Sequence, residues 1–169
     1  NYSISGGGNF VINKKALDIT AYTTDWVNGN TTYARNSYST GVNSETINLT
    51  YTPYTNAAGT YSYATSAASG KYTLAVANGT GTASNYNITS AGNLTISKVD
   101  ATCPTLTAYS APYDGGPHTI GVSGGSGGTI QYRTSSTGSW SNTNPSYTNQ
   151  TGGNVTVYVQ VAGDGNHNT

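Results

Sequence analysis

Few side chains in this 169-residue sequence offer acid–base or nucleophilic chemistry: six carboxylates, two histidines and one cysteine. The best-spaced pair is Asp114 and His118, four residues apart, which would set a base beside an orienting carboxylate. The same residues stand in Tyr113-Asp114-Gly115-Gly116-Pro117, a run with turn chemistry, after which His118 opens a strand. Asp164-Gly165-Asn166-His167-Asn168 has oxygen ligands at alternate positions, as a calcium loop does at its start. It lacks the distal Glu and reads as a plain turn. Lys14, Lys15, Lys71 and Lys98, with Asp18 or Glu45 as the helping carboxylate, raise the idea of a Lys–Asn isopeptide bond. Such a bond needs a buried neutral amine, whereas lysines at junctions between modules read as solvated. Cys103 is alone, so no disulfide forms within the chain. It reads as a buried, inert thiol, an intermolecular bridge or a thioester with Gln131 or Gln160 being the alternatives. The sequence therefore assigns no catalytic residue, no metal ligand and no cofactor, and the chain reads as something other than an enzyme.

Binding chemistry is equally sparse. Trp26 and Trp140 present rings that stack on sugars in carbohydrate-binding modules. Trp26, beside the Asn28-Gly29-Asn30 turn, is the candidate ligand-binding residue. Asn30, Asn48, Asn78 and Asn149 head Asn-x-Thr sequons and are the candidate glycosylation sites of an exported glycoprotein. A net charge of zero and the lack of any Lys/Arg cluster argue against nucleic acid and anionic membrane as partners. No apolar run approaches the ~18 residues that a membrane-spanning helix needs. The first residues do not pattern as a leader peptide, so the sequence reads as a processed form or an excised piece.

The elements that must carry these residues are strands. Charged residues are only 7% of the chain, against roughly 25% in an ordinary globular domain. Thr, Ser, Asn and Gly take the surface role, and fifteen Tyr residues supply rings that bury apolar area while the hydroxyl stays hydrated. Alternation at period two recurs where helical spacing does not. It predicts strands over Ala16–Tyr22, Thr46–Thr52 and Lys71–Ala77, around Ile120 and Val122, around Ile130 and Tyr132, and along Val155, Val157, Val159 and Val161. Gly-, Asn- and Ser-rich turns separate them, which points to antiparallel sandwiches.

Self-similarity adds an organisation. Asn1-Tyr2-Ser3-Ile4 returns as Asn85-Tyr86-Asn87-Ile88, and at the same offset Asn9, Ile12 and Lys14 return as Asn93, Ile96 and Lys98. Thr20-Ala21-Tyr22 returns as Thr107-Ala108-Tyr109, after a three-residue insertion. Each copy reads as two short strands around a Gly/Ser turn, closing one module before the next begins. The expected organisation is a terminal hairpin over 1–12 that belongs to a preceding or neighbouring module, a first β-sandwich over 13–98 and a second over 99–169. Joined to the end of another copy, 1–12 would complete its last module, either along one polypeptide or by strand donation between subunits. Asn1, Tyr2, Ile4, Phe10 and Ile12 are the residues expected to make that assembly contact.

Ile12 to Ala21, with Asn85-Tyr86-Asn87-Ile88 and Leu94-Thr95-Ile96-Ser97-Lys98, resembles the MBG repeats of bacterial surface and adhesin-like proteins. Tyr113 to Thr119 is similar to the YDGxPHT signature of a related Ig-like repeat, and Ser139-Trp140-Ser141 and Val155 to Val161 fall where that pattern expects them. Asp25 to Asn30 departs from the turn such repeats show after their first strand. The resemblance implies an all-β chain of two tandem Ig-like antiparallel β-sandwich modules, at the cell surface, in a stalk, adhesin or filament. Its partners would be copies of itself or flanking repeats. The rival reading is an adhesive module that binds a glycan or an environmental surface.

Overall fold

The computed structural model describes residues 6–169. The chain is all-β, with several sheets and one three-residue 3-10 turn at Ala83–Asn85 among the described residues. The strands are β1 (Lys15–Ile19), β2 (Tyr22–Asp25), β3 (Tyr33–Ser39), β4 (Thr46–Pro53), β5 (Gly59–Tyr63), β6 (Lys71–Asn78), β7 (Tyr86–Ala91) and β8 (Leu94–Ser97). They continue with β9 (Val99–Asp100), β10 (Thr105–Thr107), β11 (Gly121–Ser123), β12 (Gly128–Arg133), β13 (Tyr158–Gly163) and β14 (His167–Asn168). Two compact units result. The first takes the chain up to Thr24 with Asn28–Asn56 and Thr60–Thr95; the second takes Asp25–Val27, Ala57–Gly59 and Ile96–Thr169. No helix among the described residues is long and apolar enough to cross a membrane.

A six-stranded sheet, in the order β2-β8-β5-β6-β4-β3, and the parallel pair β1–β7 build the first unit's framework. Strand β4 shows why this sequence makes a sheet. Ile47, Leu49, Tyr51 and Pro53 alternate with polar residues, and that alternate set is buried while antiparallel β3 and β6 satisfy the backbone on either side. Tyr51 stacks at a tilt on Tyr22 and on Tyr72, with ring centroids 5.0 and 5.3 Å apart. Rings thus replace much of the aliphatic core. Burial pushes the Tyr72 hydroxyl up to about 12, and that hydroxyl donates to the Gly92 carbonyl at 2.6 Å. Tyr86 donates to Glu45 and, at 3.1 Å, to Thr40, and the Glu45 bond chiefly raises its pKa.

Strand β3 escapes simple alternation. Its register against β4 shifts between Arg35 and Tyr38, and Ser37 takes a positive φ of 57°, which suits a bulge. Asn48 secures the bulge by accepting the Ser37 N–H at 3.0 Å.

Short pairs make up the second unit: antiparallel β10–β11, antiparallel β12–β13 and parallel β9–β14. Its apolar centre is thin. Tyr132 and Val161 are buried there, while Arg133 lies 4.3 Å over the Trp140 ring and 5.5 Å from that of Tyr158. Trp140 is half-buried beneath the Arg133 guanidinium. Gly128 is required by close approach, since a Cβ there would lie 1.9 Å from the Ala162 carbonyl oxygen.

Three expectations change. The strand forecast through Val155–Val161 is instead Tyr158–Gly163, with Val155 and Val157 outside it. The pairing is not wholly antiparallel, since β1–β7, β5–β6 and β9–β14 run parallel. The two strands of the Asn85 motif do not form a hairpin: β7 pairs with β1, whereas β8 lies between β2 and β5.

Candidate assembly site

The repeated motif stands in two environments. In its second copy, Tyr86 is 8% exposed, Leu94 0% and Ile96 1%. Strand β7 follows β1 in parallel, with Leu17 beside Ile88 and Ile19 beside Ala91. On the next strand pair, the Tyr22 N–H donates to Asn93 O at 3.0 Å and the Trp26 N–H to Ser97 O at 2.9 Å. Both partners advance four residues between these bonds, so β2 and β8 run parallel with Tyr22 beside Leu94 and Thr23 beside Thr95. Gly92, in the turn between the strands, lies so close to Ala21 that a Cβ would meet its backbone nitrogen at 2.6 Å. Its N–H donates to Ile19 O at 2.8 Å.

The first copy is bare. Residues 6–14 form no strand, and Phe10, Val11 and Ile12 are 87%, 72% and 82% exposed. Gly8, the counterpart of Gly92, has open space around it. Asn1, Tyr2 and Ile4, the other expected assembly residues, lie outside the described residues.

In the second unit, the positions equivalent to β1 and β2 are short of partners. Leu106, the counterpart of Ile19, sits in the three-residue β10 and is 47% exposed. Tyr109–Tyr113, the counterpart of Tyr22–Trp26, belongs to no strand, and Tyr109 and Tyr113 are 47% and 71% exposed. Beside this segment runs a groove of ≈ 600 Å³ lined by Tyr109, Tyr113, Ile120, Tyr147, Val155 and Val157. The Tyr109 ring stacks on His118 at 4.3 Å. Sequence reasoning missed these lining residues. The return of Thr20-Ala21-Tyr22 as Thr107-Ala108-Tyr109 is the signal that marks them.

The chemical candidates resolve into turns. Asp114 Oδ1 accepts the Gly116 N–H at 2.8 Å and meets His118 Nε2 at 2.7 Å, with Gly115 at φ 80° between them. The Gly116 bond first, then His118, holds the Asp114 carboxyl below its ordinary range. Asp164 Oδ1 likewise meets His167 Nδ1 and takes the Asn166 and His167 N–H groups at 2.7–2.9 Å, and the His167 ring first, then Asn166, holds its carboxyl below the ordinary range. Both carboxylates are occupied in shaping turns. Lys71 Nζ donates to Ser62 Oγ and Lys98 Nζ to the Asp164 carbonyl, each at 2.8 Å. Asp18 is bound by Thr89 and Ser90, which lower its pKa. Cys103 is exposed, correcting the expectation of a buried thiol: it lies outside any strand, between the Thr102–Ser126 bridge and β10.

Trp26 is half-buried, its ring meeting His167 edge-on at 4.8 Å. Among the sequons, Asn78 and Asn149 are exposed and Asn30 is half-buried. The Asn48 amide donates to Asn78 O at 2.8 Å, a bond that a glycan on that nitrogen would disturb. No family model, curated protein or solved structure matches this chain.

Proposed function

We propose that the chain is one structural repeat unit of an extracellular stalk or filament whose copies join head to tail. In this reading the first and second units are Ig-like β-sandwich modules of the MBG type, and 1–12 completes the last module of the next copy. The observation that carries it is one motif in two states: Leu94 and Ile96 fully packed, Phe10 and Ile12 bare. An apolar segment of this kind on an otherwise hydroxyl- and amide-rich surface calls for a covering partner. The neutral surface and the sequons suit an exported protein. The Asp–His pairs shape turns, which suits a scaffold.

Cryo-electron microscopy of native material tests the reading. Copies should follow one another end to end at a regular repeat; dispersed single chains, or copies packed only side by side, would contradict it. A glycan-binding module is the second reading, favoured by the exposed tyrosine faces of the second unit's groove. Glycan-array binding that disappears in Tyr113→Ala would support it.

A further inference from the structure

We infer that Asn9–Asn13 of one copy docks as a parallel strand on Tyr109–Tyr113 of a second copy, placing Phe10 and Ile12 in the groove there. The inference rests on the head-to-tail reading above and gives it a site, a strand direction and a register.

The β2–β8 strand pair supplies the template. There the motif's own second copy lies against Tyr22–Trp26, with bonds from Tyr22 N–H to Asn93 O and from Trp26 N–H to Ser97 O. Carried to the equivalent positions, Tyr109 N–H donates to Asn9 O, Ala111 N–H to Val11 O and Tyr113 N–H to Asn13 O. Phe10 then stands beside Tyr109, Val11 beside Ser110 and Ile12 beside Ala111. A parallel ladder uses every second N–H of a strand toward one neighbour. Pro112, which has no N–H, falls at the position of Asp25, on the side turned away from the donor. The acceptor sequence is therefore compatible with the bonds that the register demands.

Side chains agree with the backbone. Phe10 and Ile12 share the face that Leu94 and Ile96 bury, and the groove beside Tyr109 and Tyr113 is lined by further rings and by Ile120, Val155 and Val157. Gly8 agrees too. Its counterpart Gly92 has no room for a Cβ against Ala21, and the residue equivalent to Ala21 on the acceptor is Ala108. In the undocked chain Gly8 meets nothing within 4 Å, so its identity is explained by the docked state. The lone Cys103 plays no part.

The test mixes two full-length chains, both carrying Cys103→Ser, one with Val11→Cys and the other with Ser110→Cys. Neighbouring strands lie about 4.8 Å apart, within the Cα separation that a disulfide spans. Mild oxidation should link the two variants as a heterodimer. Ile12→Cys should link to Ser110→Cys at most about a tenth as well, because adjacent strand residues face opposite ways. Phe10→Asp and, separately, Gly8→Ala should each weaken association by about tenfold or more, with the circular dichroism and melting of the dilute chain unchanged. Association seen by light scattering that neither substitution weakens, without the specific link, overturns this docking site and leaves end-to-end assembly standing. No association at any concentration, together with native material lacking end-to-end copies, overturns both.

Discussion

The first unit closes its core and the second leaves most of its large apolar residues at the surface, although both carry a Thr-Ala-Tyr segment. In the first, ten buried apolar or aromatic side chains run from Leu17 to Leu94. In the second, Ile96, Tyr132 and Val161 are buried while Leu106, Tyr109, Tyr113, Tyr147 and Val155 are at least a third exposed. One motif separates them. Strands β7 and β8 bring Tyr86 and Leu94 into the first unit, and among the described residues no equivalent strand pair covers Leu106 or Tyr109. A module of this size depends on its last strands for a sufficient core, so a missing pair is felt along a whole face.

The contrast breaks most easily at Leu49, which is wholly buried in β4. Leu49→Ala should cost ~2–5 kcal/mol in denaturant unfolding, through lost burial and a residual cavity. Leu106→Ala in the dilute chain should change stability by less than ~0.5 kcal/mol. Similar losses at the two sites would abolish the distinction between a closed and an open unit. Gly128→Ala comes next: its Cβ collides with the Ala162 carbonyl, so β12 must move off β13 at a cost of ~1–3 kcal/mol. Amide exchange should rise along β12 and β13 with β4 and β6 unaffected.

Tyr72→Phe should remove ~1 kcal/mol by stranding the Gly92 carbonyl. It also sharpens the comparison by pH. The folded state raises the Tyr72 pKa from 10.0 to about 12. Its contribution is fully present below pH 10 and is lost as the pH rises from there through 12, because the unfolded chain releases that proton first. Alkaline unfolding curves should therefore be shallower in Tyr72→Phe. The smallest effect belongs to the second unit. Asp114 is held below its ordinary range by Gly116 and His118, so its contribution is present at neutral pH and fades as pH falls through the lowered value. An NMR titration should show the carboxyl moving up in His118→Ala, with little change in melting at pH 7.

Legibility from sequence followed the same division. Strands β4, β6 and β12 were readable because Ile47, Leu49 and Tyr51, then Tyr72, Leu74 and Val76, then Ile130 and Tyr132 alternate cleanly with polar residues. Strands β3 and β5 were not: the bulge at Ser37 breaks the period in one, and Gly-Thr-Tyr-Ser-Tyr in the other has only rings to signal burial. The valine series was read as one strand because its alternation is real, yet Val155 and Val157 lack a paired neighbour in the single chain. The recurrence of Asn-Tyr-x-Ile pointed to Phe10 and Ile12 as assembly residues. The acceptor proposed for them is hidden in the sequence, since Tyr109 and Tyr113 look like any other tyrosine until their equivalence to Tyr22 and Trp26 is set in the sheet.

Amide hydrogen exchange on the full-length chain, at rising concentration, tests the central claim most directly. If Asn9–Asn13 of one copy completes the second unit of another, the Tyr109, Ala111 and Tyr113 amides should gain protection together with assembly, while Ser110, whose N–H faces away, gains less. Protection of these amides that is independent of concentration, or assembly that leaves them exchanging freely, would contradict the account.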